Sequence, residues 1–336
     1  MCLILGAALL LSSCEKETAG APEPAGESRT RLTLVVSALQ TRASVTPHEG
    51  DVVSLDVLAF RAGDGTLDAS SRVTGSGLTS VSADVSAGVP LRWKVVANAP
   101  SGAFASVTTE AGFESALTSL TDGTVSSLVM GASGTVTATD GTGPVSAGLD
   151  RYCCKVTVES VAFAWTDSFQ ETPVVTVERI ALVNVVGTTP FSGVPAAGEL
   201  WYNRMGIEEG LPDYVRDMTV KDYGSLPVGP SPVDVASPLY AMPNPVSNNV
   251  NSANSPEWSE RCTRVAVELK VNGTSYWYPV DLPSMECNRH YIIRRLTVTG
   301  PGSMGPDYPV TRDGVTFTVD VTPWEDNDVV TDWTGS

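Results

Sequence analysis

Histidine is nearly missing from this chain, and with it the usual means of acid-base and metal chemistry. The two present, His48 and His290, lie far apart, and neither has a neighbour at ligand spacing. No phosphate-cradling glycine loop, G-x-S-x-G elbow or H-E-x-x-H pair occurs, so we expect neither an enzyme nor a bound metal or organic cofactor. The run Glu325-Asp326-Asn327-Asp328 lacks the ligand pattern of a calcium loop and reads as a solvated tail. Basic residues are scarce too. Lys and Arg number 21 against 38 Asp and Glu, a net charge of −17, which argues against nucleic acid as a partner because phosphate backbones select basic patches. No segment shows sustained 3.6-residue apolar periodicity, and no apolar run reaches the roughly 20 residues of a membrane span.

What is there begins at the N-terminus. Leu3 to Leu11 is apolar and is followed by Ser12-Ser13-Cys14, the pattern of a lipoprotein signal peptide over residues 1–14 with Cys14 as the lipidated residue. A buried hydrophobic strand is the competing reading. No Lys or Arg precedes Lys16, which a start placed a few codons late would explain. Residues 15–29, rich in Ala, Gly, Pro and Glu, cannot bury enough apolar surface to offset ordering and read as a flexible tether. What remains is too long for one ordinary core. We expect two β-sandwich domains, 30–149 and 150–336, because Thr, Val, Ser and Gly dominate and 30 Gly and 23 Pro punctuate short runs.

Alternation places the strands. Leu32, Leu34, Val36 and Ala38 share one face of the first. Val53, Leu55 and Val57 share a face of the second, and Leu91, Trp93, Val95 and Ala97 of a third. From Met130 to Gly148 the composition is that of turns and edge strands, and between Phe191 and Pro256 we expect long irregular excursions with one helical turn at Asp213 to Met218. Asn272-Gly273 supplies two positive φ values for a type I′ hairpin, pairing Val271 with Thr274, Leu269 with Tyr276, Val267 with Tyr278 and Val265 with Val280. That register brings Cys262 near Pro283, so we expect a Cys262–Cys287 disulfide, permitted in an exported protein. Cys153 and Cys154 point to opposite faces of a strand and read as structural. Near the end Val315, Phe317, Val319 and Val321 alternate strictly, followed by Pro323-Trp324 and an acidic tail.

The order of these features resembles the type V fimbrillins of Bacteroidales, the FimA-like and Mfa-like fimbrial subunits. Carrying the resemblance are the lipobox at Cys14, a first strand followed by Thr41-Arg42-Ala43, Val95-Val96-Ala97-Asn98-Ala99-Pro100, and Met130-Gly131 leading into Arg151. Leu239-Tyr240-Ala241-Met242-Pro243-Asn244-Pro245, Tyr291-Ile292-Ile293 before Leu296-Thr297-Val298, and the final strand into Pro323-Trp324 complete it. The resemblance implies two tandem transthyretin-like β-sandwich domains, a lipoprotein carried to the outer membrane and cell surface, and a trypsin-like protease that cuts between Arg42 and Ala43. It implies other fimbrial subunits as partners, joined by strand exchange: the first strand leaves, and a donor strand from a C-terminal end, for which Val315 to Val321 is the candidate here, takes its place. On spacing alone Arg42 is equally a loop arginine. A non-polymerising surface lipoprotein that binds glycans through exposed tryptophans, or serves as an anchor, is the alternative function.

Overall fold

The computed structural model describes residues 28–38, 49–165, 168–195, 200–247, 255–310, 314–324 and 331–333. The fold is all-β, as expected. In the first part of the chain the elements are β1 (Arg29–Ala38), β2 (Ser54–Arg61), β3 (Leu67–Thr74), β4 (Ser80–Ser86), β5 (Pro90–Ala97), α1 (Glu110–Ser115), β6 (Leu117–Ser119), β7 (Met130–Thr137) and β8 (Val145–Arg151). Their sheet runs in the order β3-β2-β5-β7-β8-β1-β4. β7 and β8 pair only at Met130–Arg151 and Gly131–Asp150, so the sheet divides there and its two parts face each other. Between them lies one core. Leu32, Leu34 and Val36 of β1 meet Val81, Ala83 and Val85 of β4, Leu55 and Val57 of β2, and Leu91, Trp93 and Val95 of β5.

β2 departs from the one-sided strand expected. It begins at Ser54, leaving Val53 about half exposed at 46%, and it is buried on both faces, because Leu58 and Phe60 enter a second cluster with Phe113 and Phe191. The Val95–Pro100 motif has a physical reason. Asn98 takes φ 62° at the end of β5, and its side chain accepts from Val53 N at 2.9 Å and donates to the carbonyls of Asp51 and Leu128 at 2.8 Å each. One asparagine closes three backbone ends.

The rest of the chain forms β9 (Cys154–Phe163), β10 (Val175–Val183), β11 (Val185–Val186), β12 (Thr188–Pro190), β13 (Trp201–Tyr202), α2 (Asp213–Thr219), β14 (Val220–Pro227), β15 (Val233–Ala241), β16 (Arg264–Val271), β17 (Thr274–Asp281), β18 (Arg289–Ile293), β19 (Leu296–Val298), β20 (Val315–Thr316), β21 (Val319–Pro323) and β22 (Thr331–Trp333). One antiparallel sheet is β14-β10-β16-β17. In the other, β9 is flanked by β15 on one side and by β18 and β19 on the other, both parallel to it, with β20, β21 and β22 beyond. The β16–β17 register is the one expected, with Asn272 at φ 49° and Gly273 at 85°. The helical turn at Asp213 is present as α2, but β14 and β15 replace much of the irregular stretch. Neither is legible in the sequence, because Gly224-Ser225, both at positive φ, breaks the alternation of β14 and Pro238 that of β15.

The two parts interlock. β6 pairs with β12, and the Phe191 ring lies 4.9 Å from Phe104, 5.6 Å from Phe113 and 5.3 Å from Tyr152. The second part has its own core, with Val156, Ile180, Val267 and Tyr291 in it, and deep in that part Arg261 Nη1 stands 2.9 Å from Asp307 Oδ2 and Arg264 Nη1 3.2 Å from Oδ1, all but unexposed. This cluster pins the segment after β19 to β16.

Candidate functional site

The first strand lies in a slot. β1 is antiparallel to β4 from Arg29–Ser86 to Val35–Ser80 and parallel to β8 from Leu34–Val145 to Ala38–Leu149. Leu32, Leu34 and Val36 are buried, as their alternation requires, while the side chain of Ala38 lies outside the described residues. At roughly 1.5–3 kcal/mol per large apolar side chain these three contribute several kcal/mol. Without β1, two rows of strand edges and an apolar floor would face water.

A polar clip holds its outer end. Arg29 Nη1 stands 3.4 Å from Asp68 Oδ2 and 3.1 Å from Ser86 Oγ, and the guanidinium donates to the Asp84 carbonyl. The Asp68 side chain has no solvent exposure, and Arg61 is its second cationic partner at 3.2 Å. Burial alone would raise the Asp68 carboxyl, but hydrogen bonds from Ser86 and the charge of Arg29 outweigh it and hold the pKa below the usual value. Sequence reading missed this site, since its residues come from four strands with no local signal.

Cys14, Arg42, Ala43 and His48 lie outside the described residues. The chain resumes at Glu49, whose buried carboxylate pairs with Lys155 Nζ at 2.8 Å and accepts from Tyr240 Oη. Trp324, at the end of the last core strand, stacks 5.9 Å from Tyr240 and lies under Arg151 at 4.5 Å. The segment just past the expected processing site and the root of the C-terminal tail therefore meet on the same side chains, those of Lys155 and Tyr240. His290 is beside them. Burial, with Lys155 and Arg294 near, pushes its pKa down to about 3, and Thr157 Oγ1 is 2.9 Å from its Nε2.

The donor candidate is not one strand. β20 pairs with β19 and β21 with β18, and a break at Phe317-Thr318 follows the interruption at Arg294-Arg295 between their partners. Val319 is fully buried in the second core, and Val315, Phe317 and Val321 pack against it half-buried. The Cys262–Cys287 disulfide is corrected: both are free thiols. Asn244 intervenes, exchanging backbone hydrogen bonds with Met285 and donating to the Arg261 carbonyl at 2.9 Å, so residues after 283 do not fold back on Cys262. Cys287 instead lies with its sulfur 3.3 Å from the Tyr152 carbonyl. Burial pushes Cys153, Cys262 and Cys287 up to about 12, which leaves them protonated and unreactive. Trp93, Trp201 and Trp324 are buried and Trp165, Trp258 and Trp277 half-buried, so these tryptophans form no exposed sugar platform.

The family model of the major fimbrial subunit protein (FimA) matches residues 30–149, the region that holds β1 and its slot. No curated protein matches the chain. Among solved structures, a fimbrilin (FimA) from Porphyromonas gingivalis is 16% identical and superposes with a TM-score of 0.60 over 88% of this chain and 97% of its own. The tip fimbrial protein Mfa3 of the same organism is 16% identical, with a TM-score of 0.51 over 88% of this chain and 99% of its own. A protein described as a candidate cell adhesion protein from Parabacteroides distasonis is 18% identical, with a TM-score of 0.61 over 88% and 99%. The resemblance read from the sequence is borne out: residues 30–149 carry the domain of the FimA fimbrial subunit family, on a chain whose fold is that of the Bacteroidales fimbrillins.

Proposed function

We propose that this fimbrial subunit is exported as a lipoprotein attached through Cys14, and that cleavage between Arg42 and Ala43 by a trypsin-like protease triggers its assembly by strand exchange. The observation that carries this reading is β1 itself, an end strand that fills a slot between β4 and β8 and is joined to the body by residues 39–48. While it is attached, the slot is filled in cis and the precursor is a monomer. Once the connection is cut, β1 can dissociate, and an extended strand from a neighbouring subunit regains the ladder hydrogen bonds and the apolar seats of Leu32, Leu34 and Val36. The buried Glu49–Lys155 pair supports this order of events, because it ties down the new N-terminal segment a few residues from Ala43. We read the two cores as two sandwich domains that divide near Asp150.

The element this chain offers in return is its C-terminus. Among the described residues β22 pairs with β21 at the edge of its sheet. The test is Arg42→Ala, which touches no described core residue. It should give a folded, surface-attached monomer absent from SDS-resistant polymers, while Cys14→Ser should strand the precursor before the outer membrane. Arg42→Ala protein that enters polymers as wild type does would remove cleavage at this site as the trigger.

A further inference from the structure

We propose that the slot left by β1 selects a donor strand from a different subunit, one with basic residues beside its apolar alternation, and disfavours the C-terminus of a second copy of this chain. This rests on the strand-exchange reading above. The slot has an apolar floor and an acidic lip. Along the floor any strand with apolar residues at every second position can replace Leu32, Leu34 and Val36. At the lip β1 contributes two cations. Arg29 reaches Asp68 and the Asp84 carbonyl, and Arg31 stands opposite Asp84 in the β4 register. Arg29, Arg31, Ser70, Ser71, Ser82 and Asp84 line a hollow of about 380 Å³ between these strands.

Excision through Arg42 removes both cations and leaves Asp68 and Asp84 with Arg61, 3.2 Å from Asp68, beside them. The segment removed carries Lys16, Arg29, Arg31 and Arg42 against Glu15, Glu17, Glu23 and Glu27, so the body keeps the net charge of −17. The C-terminal segment has the right apolar period but the wrong sign. After Arg312 it contains Asp313, Asp320, Glu325, Asp326, Asp328 and Asp332 and no Lys or Arg. A second copy would therefore set carboxylates against the lip of a body that already repels it, whereas a strand flanked by Arg or Lys restores what β1 supplied.

The test uses full-length protein cleaved by an arginine-specific protease and freed of its first strand in mild denaturant. Three labelled peptides are titrated by fluorescence anisotropy: residues 28–40, the same peptide with Arg29→Glu and Arg31→Glu, and residues 314–333. The first should bind. The charge-reversed peptide should bind about tenfold more weakly at low salt, with the gap closing as salt screens it, and the C-terminal peptide should fail to compete. Asp68→Asn with Asp84→Asn should abolish the difference. Equal binding of the first two peptides, or competition by the C-terminal peptide as strong as that of residues 28–40, overturns the charge selection alone. If residues 28–40 themselves do not enter the cleaved protein, the strand-exchange reading falls, and this inference with it.

Discussion

The strands at the two ends of the chain both alternate apolar and polar residues, yet they are held in different ways. β1 is seated by three aliphatic side chains and clipped from outside by Arg29, a residue whose side chain is 44% exposed. β21 has Val319 fully buried, Asp320 buried against Arg294, and Trp324 just beyond its end, locked between Tyr240 and Arg151. An alternating pattern thus makes a strand, but the groups at its end decide whether it is removable. A strand secured by aliphatic burial and one exposed cation can be exchanged once its covalent connection is cut. Both ends pair an exposed arginine with a buried aspartate, so the aromatic makes the difference: a strand that ends in a buried tryptophan cannot leave without opening a core.

Truncating the anchor should have the largest effect. Trp324→Ala is expected to lower stability by roughly 3–5 kcal/mol, read as a shift of the denaturant midpoint, with protection of β21 amides lost before those of β1. Leu34→Ala should cost roughly 2–5 kcal/mol and, after arginine-specific cleavage, should speed release of the first strand as followed by mass spectrometry. If it does not, the aliphatic seats are not what holds β1. Acid should act on the anchored side. His290 titrates near 3 when folded and at an ordinary 6.5 when unfolded, so the unfolded chain binds the extra proton between these values. Stability contributed by neutral His290 is present above pH 6.5 and declines as pH falls toward 3, by up to about 1.4 kcal/mol per pH unit. His290→Gln should flatten that part of the pH profile. The smallest effect belongs to Arg29→Ala. Arg29 is partly exposed and Arg61 still pairs with Asp68 when it is gone, so the intact precursor should lose only about 1 kcal/mol, less still at high salt, although the cleaved first strand should dissociate faster.

Much of this was legible in the sequence where the signal is local. The Asn272-Gly273 turn fixes its own hairpin, and the alternation of Leu32 to Val36 and of Leu91 to Ala97 picks the face that the structure buries. Long-range pairings were not. β4 alternates Val81, Ala83 and Val85 with Ser80, Ser82, Asp84 and Ser86, but alternation does not say which strand it meets, and β3 is mostly polar, so nothing nearby marks Asp68 as the partner of Arg29 and Arg61. Glu49 looks like any loop carboxylate, yet the fold brings it to Lys155 and Tyr240 across more than a hundred residues. The cysteine expectation failed for the same reason, since a hairpin register says where Cys262 is but not that Asn244 comes between it and Cys287.

The claim that β1 must leave its slot is tested most directly by preventing it from leaving. Thr33 and Ser82 face each other across β1 and β4 with their hydroxyls 2.9 Å apart, so Thr33→Cys with Ser82→Cys places two thiols within bridging reach at a position that buries no large side chain. The oxidised protein should be cleaved after Arg42 at the wild-type rate, stay monomeric, and enter SDS-resistant fimbrial polymers only when reductant is added. Polymers that form equally well with the disulfide intact would show that the first strand does not have to move, and would contradict the account.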